Sequence, residues 1–298
     1  MSADRASVQV VVVAYNSRDT LRGCVEPLAA VPWIAVTVVD NACPERSPDV
    51  VADLPVEIVR SDRNGGFAYG CNLGMATGRS EFVLLLNPDA RIDAGSVGAL
   101  VRALESDAAL GVAGPRTSAA DGTLVWSQRR FPRLRSTFAQ ALFLQRLAPH
   151  ASWSDEVVRD RSVYDHDGSP EWLSGACLLL RRAAVDAVGG LDDGFFLYSE
   201  ETDLLRRMRA AGWGTRYVAA ASASHIGGAS APRDTTKRIW AQSRVRYARK
   251  HHGPLVAVLE AVGVALGALT HAAVWWFRPR VARGHATAGL AALRALRT

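Results

Sequence analysis

The chain has 298 residues, 49% hydrophobic and 21% charged, with a net charge of +6. That balance excludes wholesale disorder, and the length is enough for one large or two small domains to bury a core without staples. Cys24, Cys43, Cys71 and Cys177 are widely spaced and form no CxxC, which excludes a cysteine zinc site and a disulfide framework and fits a reducing cytosol.

The polar start, Met1 to Ser7, leads into a short apolar run, Val8 to Ala14, that contains Gln9 and reads as a strand rather than a secretory signal. Its near-continuous β-branched character is that of a strand buried on both faces of a parallel sheet. Asn16 or Ser17 is expected to cap a helix running through Leu21 and Leu28. Ile34 to Val39 is a second such strand, ending at Asp40-Asn41, and Val56 to Val59 a short third. After Arg63-Asn64-Gly65-Gly66 the pattern predicts a helix from about Ala68 to Gly78. Phe82 to Leu86 is a fourth strand, ending at Asn87-Pro88-Asp89. Strands that alternate with helices and end in polar clusters predict a doubly wound α/β sheet with its ligand site at the strand carboxyl ends.

Past Pro115 this rhythm breaks, and residues 116–170, rich in aromatic and basic side chains, read as an insertion or lid. Trp172 to Leu180 returns to strand character. Glu200 to Ala211 reads as a helix closed by Gly212, Tyr217 to Ala221 as a strand and Lys237 to Lys250 as a helix.

The C-terminal segment differs in charge. From Arg233 onward, ten arginines and two lysines face only Asp234 and Glu260, a charge of +10 that leaves residues 1–232 at −4. The same segment holds the longest apolar stretch, Leu255 to Phe277. Nucleic-acid arms are rarely so apolar, so an anionic membrane surface is the expected partner and nucleic acid is not. Leu255 to Phe277 is long enough to cross a bilayer, but Glu260, Gly263, Gly267 and His271 give it one small or polar face. An in-plane or shallowly inserted helix is preferred to a span, or to a helix packed on the body or on the partner in a homodimer through Gly263 and Gly267. Trp275, Trp276, Phe277 and Arg278 suit an interface, and Arg280, Arg283, Arg294 and Arg297 suit anionic headgroups.

Several clusters could carry chemistry. Asp40, at a strand end, can accept from a base edge or a ribose hydroxyl, or can cap a loop. The Arg63 to Asn72 segment lacks the lysine of a Walker loop and the spacing of a dinucleotide loop, so its glycines read as turn and packing positions. Asp89 would be a hard oxygen ligand for a cation bridging a diphosphate, or a turn residue. Glu200, Glu201 and Asp203 place three carboxylates in one first turn after Phe195-Phe196-Leu197-Tyr198. They repel unless one is protonated, one faces a cation, or one awaits a proton. Asp203 and Arg207, four apart, can pair. His225, followed by Gly227, Gly228 and Ser230, is a metal or phosphate contact or a structural residue.

In order, Val-Val-Val-Ala-Tyr-Asn at 11–16, Val-Asp-Asn at 39–41, Asn-Gly-Gly-Phe-Ala at 64–68, Asn-Pro-Asp at 87–89, Trp-Leu-Ser-Gly-Ala at 172–176, Phe-Leu-Tyr-Ser-Glu-Glu-Thr-Asp-Leu at 196–204 and His225 form a pattern that resembles the family 2 glycosyltransferases of GT-A fold. The rhamnosyltransferase-like branch that builds cell-envelope polysaccharide is the nearest match, over roughly residues 8–250. The resemblance implies a catalytic domain at 1–250 and a helical, basic, membrane-associating tail at 251–298. It also implies an inverting, divalent-metal-dependent transfer from a nucleotide-diphosphate sugar, dTDP-rhamnose foremost, to a lipid-linked or envelope polysaccharide acceptor. The protein would then be cytoplasmic, peripheral on the inner face of the cell membrane.

By that resemblance, Ala14 and Tyr15 wrap the nucleotide base, Asp40 binds its edge and Asn64 lines the nucleotide site. Asp89 is the firm ligand for Mg²⁺ or Mn²⁺, with Asn87 in the first position of the DxD-type motif, and His225 contacts metal or diphosphate. Trp172, Gly175 and Glu200 belong to the donor and acceptor pocket. Glu201 stands where the family has an aspartate as general base, one methylene longer. The segment around Cys43 also departs, since Ser and Asp usually follow the Asp-Asn pair. Two other readings stay open: an inactive nucleotide-sugar binding protein at the membrane, and a sugar nucleotidyltransferase. The latter is expected to carry a Gly-rich basic loop where this chain has Tyr15-Asn16-Ser17.

Overall fold

The computed structural model describes residues 7–227 and 233–297. Ten strands are described: β1 (Val8–Ala14), β2 (Ile34–Asp40), β3 (Glu57–Arg60), β4 (Phe82–Leu86), β5 (Ala90–Ile92), β6 (Leu110–Ser118), β7 (Gln128–Arg129), β8 (Trp172–Leu173), β9 (Cys177–Arg181) and β10 (Gly214–His225). The α-helices are α1 (Arg18–Ala29), α2 (Gly66–Met75), α3 (Ala94–Glu105), α4 (Leu134–Ala141), α5 (Arg182–Ala187), α6 (Glu200–Ala210), α7 (Arg233–His252), α8 (Pro254–Val274) and α9 (Pro279–Arg294).

The chain divides into two compact units. The first comprises residues 1–128, 161–194 and 200–230, and the second 129–160, 195–199 and 231–298. The first unit holds an eight-stranded sheet of order β3-β2-β1-β4-β9-β6-β10-β5. β3, β2, β1 and β4 run parallel, and β10 is parallel to β6, while β9 and β5 pair antiparallel with their neighbours. The order reverses at β1, whose neighbours are β2 and β4, and a ligand crevice is expected beyond the carboxyl ends of those strands.

The β-branched and leucine runs of β1 and β4 are buried along their whole length, as strands sandwiched between helices must be. α2 lies directly on β1 because it carries glycine where it crosses. A Cβ at Gly70 would come within 2.7 Å of Val13 Cγ1, and one at Gly74 within 2.6 Å of Val11 Cγ1. For Gly70 this is the packing role expected from the sequence, and Gly74 extends it beyond the segment read for it. Gly66, at φ 87°, supplies the left-handed turn that starts α2, so the helix begins two residues earlier than predicted and ends at Met75 rather than Gly78.

Other expectations need correction. Ser17 is the N-cap of α1, but its side chain makes no cap hydrogen bond. The backbone N–H of Ser17 instead donates to Ser47 Oγ at 3.0 Å. The single strand expected at Trp172 to Leu180 is two strands parted at residues 174–176, with consequences described below. The apolar tail helix stops at Val274 rather than reaching Phe277.

In the second unit, α7, α8 and α9 pack through a core of alanine and valine, including Ala241, Val245, Ala257, Ala261, Val264 and Ala292. Part of the segment read as an insertion, residues 129–160, belongs to this unit and contributes α4. Glu260, on the buried face of α8, accepts from Arg244 Nη2 at 2.6 Å and from Thr137 Oγ1 at 2.9 Å. Arg244 also donates to Glu156 at 2.6 Å. The two neighbouring carboxylates outweigh the burial of Arg244 and hold its guanidinium strongly protonated. The polar face read from the sequence of α8 is therefore turned inward and satisfied by protein. The opposite face exposes Leu255, Val258, Leu259 and Val262.

Candidate active site

The site is built from the ends of β1, β2, β4 and β10 and from the start of α6. β4 closes on Asn87, and Pro88 ends the strand. The chain reverses at once into β5, which pairs antiparallel with β10 so that Ala90 lies opposite His225. That register brings Asp89 against the end of β10. Asp89 Oδ1 lies 3.1 Å from His225 Nε2, and Oδ2 accepts from Gly227 N–H at 3.0 Å. Burial works against the ionised carboxyl. The His225 hydrogen bond and charge, with the Gly227 N–H, outweigh it and leave Asp89 below the usual aspartate value. Asn87 Nδ2 is 3.4 Å from the same imidazole nitrogen. Gly228 and Ser230 lie outside the described residues.

A hard carboxylate oxygen and an imidazole nitrogen, adjacent and held from two strands, form a donor pair suited to Mg²⁺ or Mn²⁺ when substrate phosphates complete the coordination. Among the described residues no group of three or more His, Cys, Asp or Glu side chains could hold a metal alone. Asp89 and His225 thus fit a cation whose remaining ligands come from a substrate diphosphate.

The 174–176 break joins this turn to the acidic helix. Asn87 N–H donates to Ala176 O at 3.0 Å. One residue earlier, a Cβ on Gly175 would fall 3.2 Å from Glu201 Cγ. The absence of a side chain there lets the loop backbone lie against Glu201. A continuous apolar strand could not place its backbone so close, which is why the sequence pattern of Trp172 to Leu180 misled. Trp172 itself is buried on β8.

The three acids of α6 occupy three environments. Asp203 is fully buried and accepts from Arg207 Nε at 2.8 Å, the pairing expected from their spacing. Arg207 also donates to Val188 O and Gly190 O, so this pair anchors α6 to the turn after α5. Glu200 is buried, and its Oε2 has no hydrogen-bond partner among the described residues. Burial first, and the neighbouring Glu201 second, push its carboxyl well above the usual glutamate range, so Glu200 is held neutral. Glu201 is only half-buried. The turn into α6 is strained: Tyr198 and Ser199, neither of them glycine, both sit at φ 67°.

The nucleotide end of the predicted site is held more tightly than sequence alone conveys. Ala14 is buried and Tyr15 half-buried at the end of β1. Asp40 accepts from Cys43 N–H at 2.9 Å and, across the β2–β3 register, from Arg60 Nη1 at 2.8 Å. Its carboxylate thus organises the loop after β2. Asn64 Oδ1 accepts from Gly66 N–H at 3.1 Å and from Asn41 Nδ2 at 3.0 Å. Asn41 in turn accepts from Gly65 N–H and donates to Gly66 O. Asn41 was not singled out from the sequence; its place beside Asp40 at a strand end was the available signal. Cys43 Sγ accepts from Asn16 N–H at 3.2 Å and lies 3.1 Å from Ser47 Oγ. Burial would raise this thiol, but hydrogen bonds, Ser47 foremost, lower it overall.

Comparison with known proteins adds the following. The family described as Glycosyl transferase family 2 matches residues 9–166. The chain is 30% identical over 262 residues to N-acetylglucosaminyl-diphospho-decaprenol L-rhamnosyltransferase of Mycobacterium tuberculosis, spanning 82% of this chain and 85% of that protein. It is 26% identical over 171 residues to rhamnosyltransferase WbbL of Escherichia coli, 54% of this chain and 60% of that one. Among solved structures, the mannosyltransferase PcManGT of Pyrobaculum calidifontis, in complex with GDP-Man and Mn²⁺, superposes with a TM-score of 0.53 at 16% identity, over 98% of this chain and 86% of that one. S. aureus TarS 1–349 with UDP-GlcNAc gives 0.51 at 13% identity, over 96% and 91%. At these identities the structural likeness is one of fold.

The Glu200 environment sets a pH signature. Its folded-state value lies above that of the unfolded chain, so the stability it allows is complete below the unfolded value of about 4.3 and falls by about 1.4 kcal/mol per pH unit as the pH rises toward the folded value. Glu200→Gln removes that titration. Its melting temperature is expected to gain on wild type progressively as the pH rises above the unfolded value of about 4.3. A wild-type-minus-variant difference that stays constant with pH would show that Glu200 is not buried as a neutral acid.

Proposed function

Since the chain belongs to glycosyl transferase family 2 and is a glycosyltransferase of GT-A fold, we propose that it transfers rhamnose from dTDP-rhamnose to a lipid-linked envelope glycan with inversion. The donor and acceptor rest on the names of its relatives, a rhamnosyltransferase acting on a diphospho-decaprenol lipid and a second rhamnosyltransferase. The observation that carries the chemical reading is the 174–176 loop, which contacts both the Asn87 end of β4 and the side chain of Glu201.

In this reading the nucleotide lies over the ends of β1 and β2. Ala14 and Tyr15 border the base, Asp40 meets its edge, and Asn64 with Asn41 shapes the adjoining wall. Asp89 and His225 would hold Mg²⁺ or Mn²⁺, as suggested by the Mn²⁺ in the mannosyltransferase complex, and the ion would neutralise charge on the departing diphosphate. Trp172 and Gly175 border the sugar. Glu201 takes the proton of the acceptor hydroxyl as that oxygen bonds to the anomeric carbon. The bond from that carbon to the diphosphate breaks, and the nucleoside diphosphate leaves. One displacement from the opposite face inverts the centre, so no protein nucleophile is required. A neutral Glu200 spares Glu201 a second negative charge at the helix start.

The catalytic domain in this reading is residues 1–250, and the tail at 251–298 associates with an anionic membrane from the cytoplasmic side. α8 is long and apolar enough to cross a membrane by length and composition. Its buried face is committed to protein through Glu260 and Arg244, which favours the in-plane arrangement, with Leu255, Val258, Leu259 and Val262 toward the lipid. Replacing Leu255, Leu259 and Val262 together by serine is expected to abolish co-sedimentation with anionic vesicles and leave the melting temperature near wild type. Undiminished co-sedimentation would remove the membrane role of this face.

For the chemistry, Glu201→Gln is expected to lower turnover by roughly 10²–10⁴-fold with donor affinity unchanged. If Glu201→Gln turned over at the wild-type rate while Glu200→Gln was inactive, the base would be Glu200. Absence of rhamnosyl transfer by wild type, with transfer from another nucleotide sugar, would replace the donor and leave the family.

A further inference from the structure

The second unit contains a cavity of about 210 Å³ that the transfer chemistry does not use. Its floor is made of small residues, Ala141, Gly263, Gly267, Ala268 and Ala288. Lys237, Trp240, His271 and His285 line its more exposed side, Thr137, Gln140 and Arg244 complete the polar lining, and no carboxylate lines it. The neighbouring acids Glu260 and Glu156 are both engaged by Arg244, each at 2.6 Å.

The polar groups on the more exposed side have defined roles. Lys237 Nζ lies 3.3 Å from His285 Nε2. An ammonium has no lone pair, so it donates, and His285 is neutral with its proton on Nδ1. Among the described residues Lys237 makes no ion pair with a carboxylate. His271 stacks on His285, with ring centroids 5.3 Å apart and planes at 17°. His271 Nδ1 is 2.9 Å from Gly267 O, so that nitrogen holds the proton and Nε2 is the acceptor. Burial, and then the positive charges of Arg146 and Lys237, depress His271 below the usual histidine value. Phe143 packs edge-on against the same ring at 4.4 Å. The field at His271 is therefore positive despite the nearby glutamates.

We propose that this cavity is a binding site for a phosphate monoester carried on an apolar chain, with the phosphate on Lys237, His271 and His285 and the first carbons of the chain on the alanine and glycine floor. Lysine offers three donors, and each imidazole gains one on protonation. A phosphate monoester whose second ionisation falls near pH 6 carries a proton that it can donate to the acceptor Nε2 of His271. Thr137 and Gln140, which also line the cavity, already donate to Glu260 and Asp155, and the alanine and glycine floor accepts methylene groups. The site lies wholly within the second unit, and the argument for it does not depend on the identity of the sugar donor or acceptor.

Octyl phosphate, inorganic phosphate and octanol, each titrated into the full-length protein and followed by the histidine Cε1–H resonances, test the proposal. Octyl phosphate is expected to shift two of these resonances, lost respectively in His271→Asn and His285→Asn, and to move the His271 titration to higher pH. Inorganic phosphate should bind roughly tenfold more weakly or worse, from the loss of at least two buried methylene groups at about 0.8 kcal/mol each. Lys237→Gln should weaken octyl phosphate by roughly 10–100-fold, the range for a lost charge-assisted hydrogen bond, and leave nucleotide binding unchanged. Equal binding of octyl and inorganic phosphate, equal binding of octanol, or an unchanged affinity in Lys237→Gln would each overturn the proposal.

Discussion

The reversal at Asn87-Pro88-Asp89 is the constraint on which the candidate site depends. β4 is buried from end to end, so the chain must leave the sheet at a defined point, and Pro88 fixes it there. A carboxylate buried at such a point is costly unless it is hydrogen-bonded. Asp89 meets that demand with His225 and the Gly227 N–H, both delivered by the β5–β10 register. The same turn fixes Asn87, whose N–H reaches Ala176 and so sets the loop that lies against Glu201. The metal-ligand candidates and the base candidate are thus positioned by backbone geometry more than by their own side-chain preferences.

Electrostatics then divides the labour among three acids that sequence alone cannot rank. Their helix start favours negative charge modestly, by about 0.3–1 kcal/mol for each exposed carboxylate, too little to hold three in one turn without further help. Arg207 neutralises Asp203, desolvation discharges Glu200, and Glu201 is left at the partly open position. The extra methylene of Glu201 relative to an aspartate lies beside a glycine backbone, where there is room for it.

The sequence was most legible where burial is two-sided. Val8 to Ala14 and Phe82 to Leu86 carry unbroken apolar runs, and the strands fall on those residues. β6 escaped notice because Gly111, Gly114 and Pro115 interrupt it, yet it runs from Leu110 to Ser118. β5 is three residues long, too short for any period, although it is the strand that aligns Asp89 with His225. Glu260 showed in the sequence as a polar mark on an apolar helix. Only long-range folding shows that Arg244 and Thr137 answer it from other helices. The ordered motifs named the residues of the candidate site, but the hydrogen bonds of Asn41 and the contact of Gly175 with Glu201 became visible only with the tertiary structure.

The central claim is that Asp89 and His225 together face the diphosphate of a bound nucleotide sugar. The most direct measurement is the His225 imidazole resonance in the presence of dTDP and substoichiometric Mn²⁺, with the assignment fixed by His225→Asn. The account predicts that this resonance broadens selectively in wild type when both nucleotide and Mn²⁺ are present, and stays sharp in Asp89→Asn. A His225 resonance that remains sharp in wild type, or broadens equally in Asp89→Asn, would contradict it.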